Sequence, residues 1–132
     1  MILVDDHLLA ARFSDTTVHG APAFPLATTC CWWWRLSSTL AGGRGGALSR
    51  VLDGMEMPAE VLEQLPELIR ILDLRALIPM MSRFSSAYRL NMLAAEAVAA
   101  AELLGADIVV GQDTPRLREA CRVRGITYLV EA

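Results

Sequence analysis

LNMLAAEAVAAAELLGADIVVGQDTPRLR, residues 90–118, is the stretch whose reading decides the fold. Leu90, Leu93, Ala94, Ala97, Val98, Ala101 and Leu104 recur at helical spacing and make one apolar face. Gly105 is placed to stop that helix, because a residue without Cβ enters the left-handed cap at no steric cost. Ile108, Val109 and Val110 form a β-branched run suited to a strand covered on both faces. Asp113 and Thr114 then precede Pro115, a capping side chain ahead of a proline at the first helical position. Helix, strand and helix in this order belong to an α/β domain, and they deliver a carboxylate to the carboxyl end of a strand.

The same order of parts recurs toward the amino terminus. Residues 1–4 read as a strand ending at Asp5 and Asp6, and a helical apolar pattern follows through Phe13. Residues 15–25, with Gly20, Pro22 and Pro25, read as a loop. Residues 24–29 read as a second strand, with Pro25 confined to its start or to an edge. Residues 30–40 form a helix led in by Thr28 and Thr29. The glycine-rich residues 41–47 make a flexible connection without the Lys-Ser/Thr of a nucleotide loop. Short helices are expected over 48–52 and 58–65, and Pro66 opens another through Leu74. Leu77 and Ile78 before Pro79 suggest a short strand, and residues 82–104 one helix. Residues 115–124 form the last helix, closed by Gly125, and residues 126–130 the last strand. Four or five short strands alternating with helices predict a mostly parallel sheet with helices on both faces, in a single domain over residues 1–132.

The bulk numbers narrow the function. At 132 residues and 54% hydrophobic the chain can bury its own core. No apolar run reaches the ~20 residues that span a bilayer. The first residues lack the basic lead of a signal peptide, so a cytoplasmic location without membrane contact is expected. Three cysteines, two of them adjacent, do not make a secreted disulfide framework. A net charge of −3 argues against a non-specific grip on duplex nucleic acid. All twelve cations are arginine, the residue better suited to a local bidentate phosphate site.

In open parallel sheets the site lies beyond the carboxyl ends of the strands. Two strands end there in carboxylates, at Asp5-Asp6 and at Asp113. Acids gathered at one crevice repel each other, and Mg²⁺ or Mn²⁺ bound by their oxygens relieves that repulsion. Glu96 is the candidate third acid. It lies about 13 Å up its helix from Gly105, against about 4.5 Å for Glu102, and a strand running from Asp107 to Asp113 climbs roughly 20 Å. Glu96 therefore approaches the level of Asp113. Met92, Leu93, Ala99, Ala100 and Leu103 surround it on the helix, so it needs a partner. The bland alternatives are a cap at Asp113 and a solvated Glu96.

The opening Ile-Leu-Val-Asp5 with Leu8-Leu9 resembles the start of PIN-domain ribonucleases, which include the toxins of bacterial toxin–antitoxin pairs. The Ala-rich helix, Leu-Gly-Ala-Asp-Ile-Val-Val and Gly111-Gln112-Asp113 resemble the same family. The resemblance implies a three-layer α/β/α sandwich with the first and fourth strands adjacent. It also implies an Mg²⁺- or Mn²⁺-dependent acidic cluster cleaving RNA. By it Asp5 and Asp113 take metal positions, and Thr28 sits where the family often has Ser or Thr. The family's second-helix acid falls near Trp34-Arg35, and its acid before the fourth strand falls near Ala94, with Glu96 or Asn91 as stand-ins.

The expectation is thus a PIN-like ribonuclease with Asp5, Glu96 and Asp113 as catalytic residues, and these with Asp6 as metal ligands. An antitoxin-like protein partner goes with it. The alternative is a PIN-like domain with a depleted metal cluster that acts as a binding module. His7 is a further ligand or acid/base candidate, Arg12 and Arg116 are phosphate candidates, and His19 has no visible partner. Cys30, Cys31 and Cys121 lack metal spacing and read as core. Trp32, Trp33 and Trp34 sweep about 200° of a helix and cannot all face one core. At least one is expected to cover a seam with another chain. With Met55, Met57, Met80 and Met81 as adaptable apolar surface, that seam suggests a homodimer.

Overall fold

The computed structural model describes residues 1–13, 25–42, 48 and 59–131. In chain order these form β1 (Ile2–Val4), α1 (Asp6–Phe13), β2 (Leu26–Thr28), α2 (Cys30–Leu40), α3 (Ala59–Glu63), α4 (Leu65–Leu68), β3 (Arg70–Ile71), α5 (Leu74–Tyr88), α6 (Met92–Leu104), β4 (Asp107–Val110), α7 (Pro115–Arg124) and β5 (Tyr128–Val130). The five strands form one all-parallel sheet in the order β3-β2-β1-β4-β5, so β1 and β4 are neighbours at its centre. Of the expected loops over residues 15–25 and 41–47 and the expected helix over 48–52, all but residues 25, 41, 42 and 48 lie outside the described residues, as do His19, Met55 and Met57.

Strand alternation divides the apolar residues between two cores. Leu3, Ala27, Ile108 and Val110 face one, where Phe84, Val98 and Leu117 of α5, α6 and α7 close over them. Val4, Leu26 and Val109 face the other, packed with Leu9 of α1, Leu36 of α2 and Leu65 of α4. Helices thus cover both faces of the sheet, giving a three-layer α/β/α sandwich. The alanines of α6 let it sit tightly: residues 94–101 are all buried, including Glu96.

Three expectations fail for local reasons. Leu77, Ile78 and Pro79 lie inside α5, not in a strand. Asp73 starts that helix by accepting the amide of Arg75 at 2.9 Å. Pro79 removes only the hydrogen bond to the Arg75 carbonyl, on an exposed turn. Residues 82–104 are two helices. Arg89 takes the left-handed conformation with φ 55°, and Asn91 caps α6 by accepting the amide of Ala94 at 2.9 Å. The apolar periodicity runs unbroken through that joint, which hid it. The helix from Pro66 to Leu74 is in fact the four-residue α4 followed by β3, two residues too few to show a period.

Candidate functional site

β1 carries three adjacent polar residues, Asp5, Asp6 and His7, to its carboxyl end, and all three are buried. Asp5 accepts the amides of Leu8 at 3.0 Å, Gly111 at 3.0 Å and Gln112 at 3.2 Å. It therefore ties the start of α1 to the turn after β4. Burial raises its pKa above the ordinary carboxylate value, against the three amides that lower it. Gly111 is required at that turn, since a Cβ there would stand 2.8 Å from the Cβ of His7.

Asp6 is held differently. The Arg35 guanidinium of α2 grips it with two hydrogen bonds, from Nε to Oδ2 and from Nη2 to Oδ1 at 2.9 Å. His7 Nδ1 lies 3.1 Å from the same Oδ1 and 3.8 Å from Asp5. Burial alone would raise the Asp6 pKa, but Arg35 and His7 together outweigh it and lower the value. His7 Nε2 is buried with no hydrogen-bond partner. A proton on Nδ1 lets His7 donate to Asp6.

Glu96, fully buried on α6, accepts the amides of Cys30 at 2.9 Å and Cys31 at 2.8 Å. A carboxylate from one helix thus seats on the first amides of another, where the dipole and the unpaired N–H groups favour negative charge. Thr29 completes that cap by accepting the amide of Trp32 at 3.1 Å. Thr28 donates its hydroxyl to the Val4 carbonyl at 2.7 Å, which ties β2 to the end of β1. Burial and the Glu96 carboxylate push the Cys31 thiol up to about 12, and Cys30 is raised for the same reasons. Both thiols stay protonated and poorly nucleophilic.

Asp113 lies beyond the strand. β4 ends at Val110, and the chain bends where Asp5 captures the next two amides. The climb of an extended strand to Asp113 does not occur. The Asp113 carboxylate instead accepts the Tyr128 hydroxyl at 2.9 Å and sits 3.3 Å from Arg118. That hydroxyl also accepts the Thr114 amide at 2.9 Å, so Tyr128 rather than Asp113 caps α7.

Among the described residues, Asp5, Asp6 and His7 form the only group of three potential ligands whose donor atoms lie within 4.8 Å of one another. Glu96 and Asp113 are brought to the same end of the sheet but not into that group. Sequence reasoning found Asp5, Asp6 and Glu96 as acids needing partners. It missed that Arg35, the amide of Gly111 and the amides of α2 are those partners, and that Tyr128 engages Asp113. An arginine at position 35, where the resemblance implies an acid, was the visible signal.

Of the other candidates, Arg116 is exposed and donates to the Arg89 carbonyl at 3.1 Å. Trp32 is buried in the α6-side core, and Trp33 is half-buried, donating to the Leu62 carbonyl at 2.9 Å. Trp34 is 66% exposed. It borders a hollow of about 380 Å³ lined by Cys30, Cys31, Leu74, Met92 and Leu93 as well. Those residues open α2, α5 and α6, and none of them is charged. Met81 is core rather than surface. No helix of the described residues is long and apolar enough to cross a membrane. No known protein family's pattern matches the chain, and no curated protein is similar to it.

Proposed function

We propose that the chain is a PIN-like domain whose acids have been turned to internal use, and that it acts as a binding module rather than as a ribonuclease. The observation that carries this is the two-pronged grip of Arg35 on Asp6. A guanidinium supplies the positive charge that a divalent ion would supply, and an ion beside it would meet like charge. The remaining donors fit an ion no better: three amides hold Asp5, two hold Glu96, and Tyr128 and Arg118 engage Asp113. The uncharged hollow beside Trp34 supports a role in binding, because it offers an aromatic wall and apolar volume of the size that recognition sites use.

The second reading is the Mg²⁺- or Mn²⁺-dependent ribonuclease built on Asp5, Asp6, Glu96 and Asp113. The close grouping of Asp5, Asp6 and His7 at the end of β1 favours it. Calorimetric titration with Mn²⁺ separates the two. The binding module gives no heat and no thermal shift at millimolar Mn²⁺, whereas Arg35→Glu, which adds an acid and removes the guanidinium, gains a Mn²⁺-dependent rise in melting temperature. Saturable Mn²⁺ binding by the unaltered protein, with RNA cleavage that Asp113→Asn abolishes, would reinstate the ribonuclease.

A further inference from the structure

Among the described residues β5 is the outermost strand on its side of the sheet, and no other strand pairs with its outer edge. Its hydrogen bonds with β4 use alternate residues: Thr127 accepts the Ile108 amide at 2.9 Å, and the Glu131 amide donates to Val110 at 2.8 Å. In a parallel ladder this register turns Thr127, Leu129 and Glu131 inward to β4. The N–H and C=O groups of Tyr128 and Val130 therefore point outward, away from the sheet. Nothing among the described residues covers them, and Leu129 and Val130 are 54% and 50% exposed. The strand is short, but Tyr128, Leu129 and Val130 include no charge, proline or bulge to turn a partner strand away.

We propose that this edge pairs with β5 of a second copy, antiparallel about a two-fold axis through Leu129, joining two five-stranded sheets into one. Antiparallel self-pairing is the isologous contact that closes a dimer. The register follows from the outward groups. With the axis at Leu129, Tyr128 of each copy faces Val130 of the other as a hydrogen-bonded pair. Both residues have both backbone groups free, so four new hydrogen bonds form. Leu129 then meets its own counterpart as a non-hydrogen-bonded pair, the closer of the two kinds, and two half-exposed leucines are buried together. Charge fits self-pairing as well. Glu131 falls opposite Thr127 of the other copy and not opposite a second glutamate. An unrelated peptide strand could meet the backbone groups; a second copy also brings leucine to leucine and threonine to glutamate, by symmetry.

Light scattering across a concentration series, with Leu129→Lys and Val130→Pro, tests the pairing. Lysine at position 129 places like charges on the axis. Proline at position 130 removes an amide that β4 does not use, so both variants keep the monomer's own ladder. The unaltered protein is expected at twice the monomer mass by about 0.5 mM, a concentration that reveals even weak dimers, and both variants at the monomer mass. Leu129→Cys is expected to cross-link under mild oxidation, because facing Cα atoms at a non-hydrogen-bonded pair lie in disulfide range. Thr127→Cys is not, being displaced by roughly 13 Å from its counterpart. Monomer mass throughout for the unaltered protein overturns the proposal. So does a dimer that survives both edge variants and is lost in Trp34→Ala, which would move the seam to the tryptophan face.

Discussion

Asp5 and Asp6 are neighbours in sequence with opposite electrostatic fates, and the contrast has a measurable consequence. The Asp6 pKa is lowered below 3.8 in the fold, so its ion pair contributes stability above the unfolded pKa and loses it as pH falls through the folded value. The Asp5 pKa is raised above 3.8 by burial, so its ionisation costs stability once pH exceeds the folded value, and acidification relieves that cost. Stability followed by urea unfolding is therefore expected to rise as pH drops through the raised Asp5 value, then fall below about pH 4. Asp6→Asn should flatten the acid fall and leave the earlier rise. A fall of unchanged steepness in that variant would show that the Arg35 pair does not govern acid sensitivity. Glu96 is the other decisive residue. Glu96→Ala strands two amides at the start of α2 and opens a cavity, and is expected to cost about 2–5 kcal/mol in urea unfolding. If Glu96 served a metal instead, Mn²⁺ would stabilise the unaltered protein and not the variant.

At the scale of elements, α2 shows how one helix serves two cores and the solvent. Its three consecutive tryptophans point about 100° apart. The result is one in the α6-side core, one bonded to α3 through the Leu62 carbonyl, and one facing out. Trp32→Ala is expected to lose about 3–5 kcal/mol as a buried aromatic, and Trp34→Ala to stay within about 0.5 kcal/mol as an exposed one. A large loss at Trp34 in the monomeric protein would mean that the hollow beside it is part of the core. The joint between α5 and α6 is the contrary case. Leu90, Leu93, Ala94 and Ala97 keep a helical period across it, because the residue before the break and those after it pack against the same core. Only Asn91, a capping residue, marks the break in sequence, and Arg89 in a left-handed conformation gives no sign of it.

The molecule places four carboxylates at the end of the sheet where parallel strands collect functional groups, but spends each on a joint between elements. Asp5 joins α1 to the turn after β4, Asp6 joins β1's end to α2, Glu96 joins α6 to α2, and Asp113 joins the start of α7 to β5. A buried charge needs a partner wherever it sits, and pattern reasoning could say that Glu96 needed one without saying which. By itself the sequence determined β1, β2, β4 and β5 with the helices that follow β1, β2 and β4, the stops at Gly105 and Gly125, and the extent of α2. Those depend on periodicity, capping and backbone freedom, which act over a few residues. Tertiary structure alone decided that the partners would be Arg35 and the α2 amides, 29 and some 65 residues away from the acids they hold. Such pairings are chosen by which elements the packing sets side by side, and no local pattern records that choice.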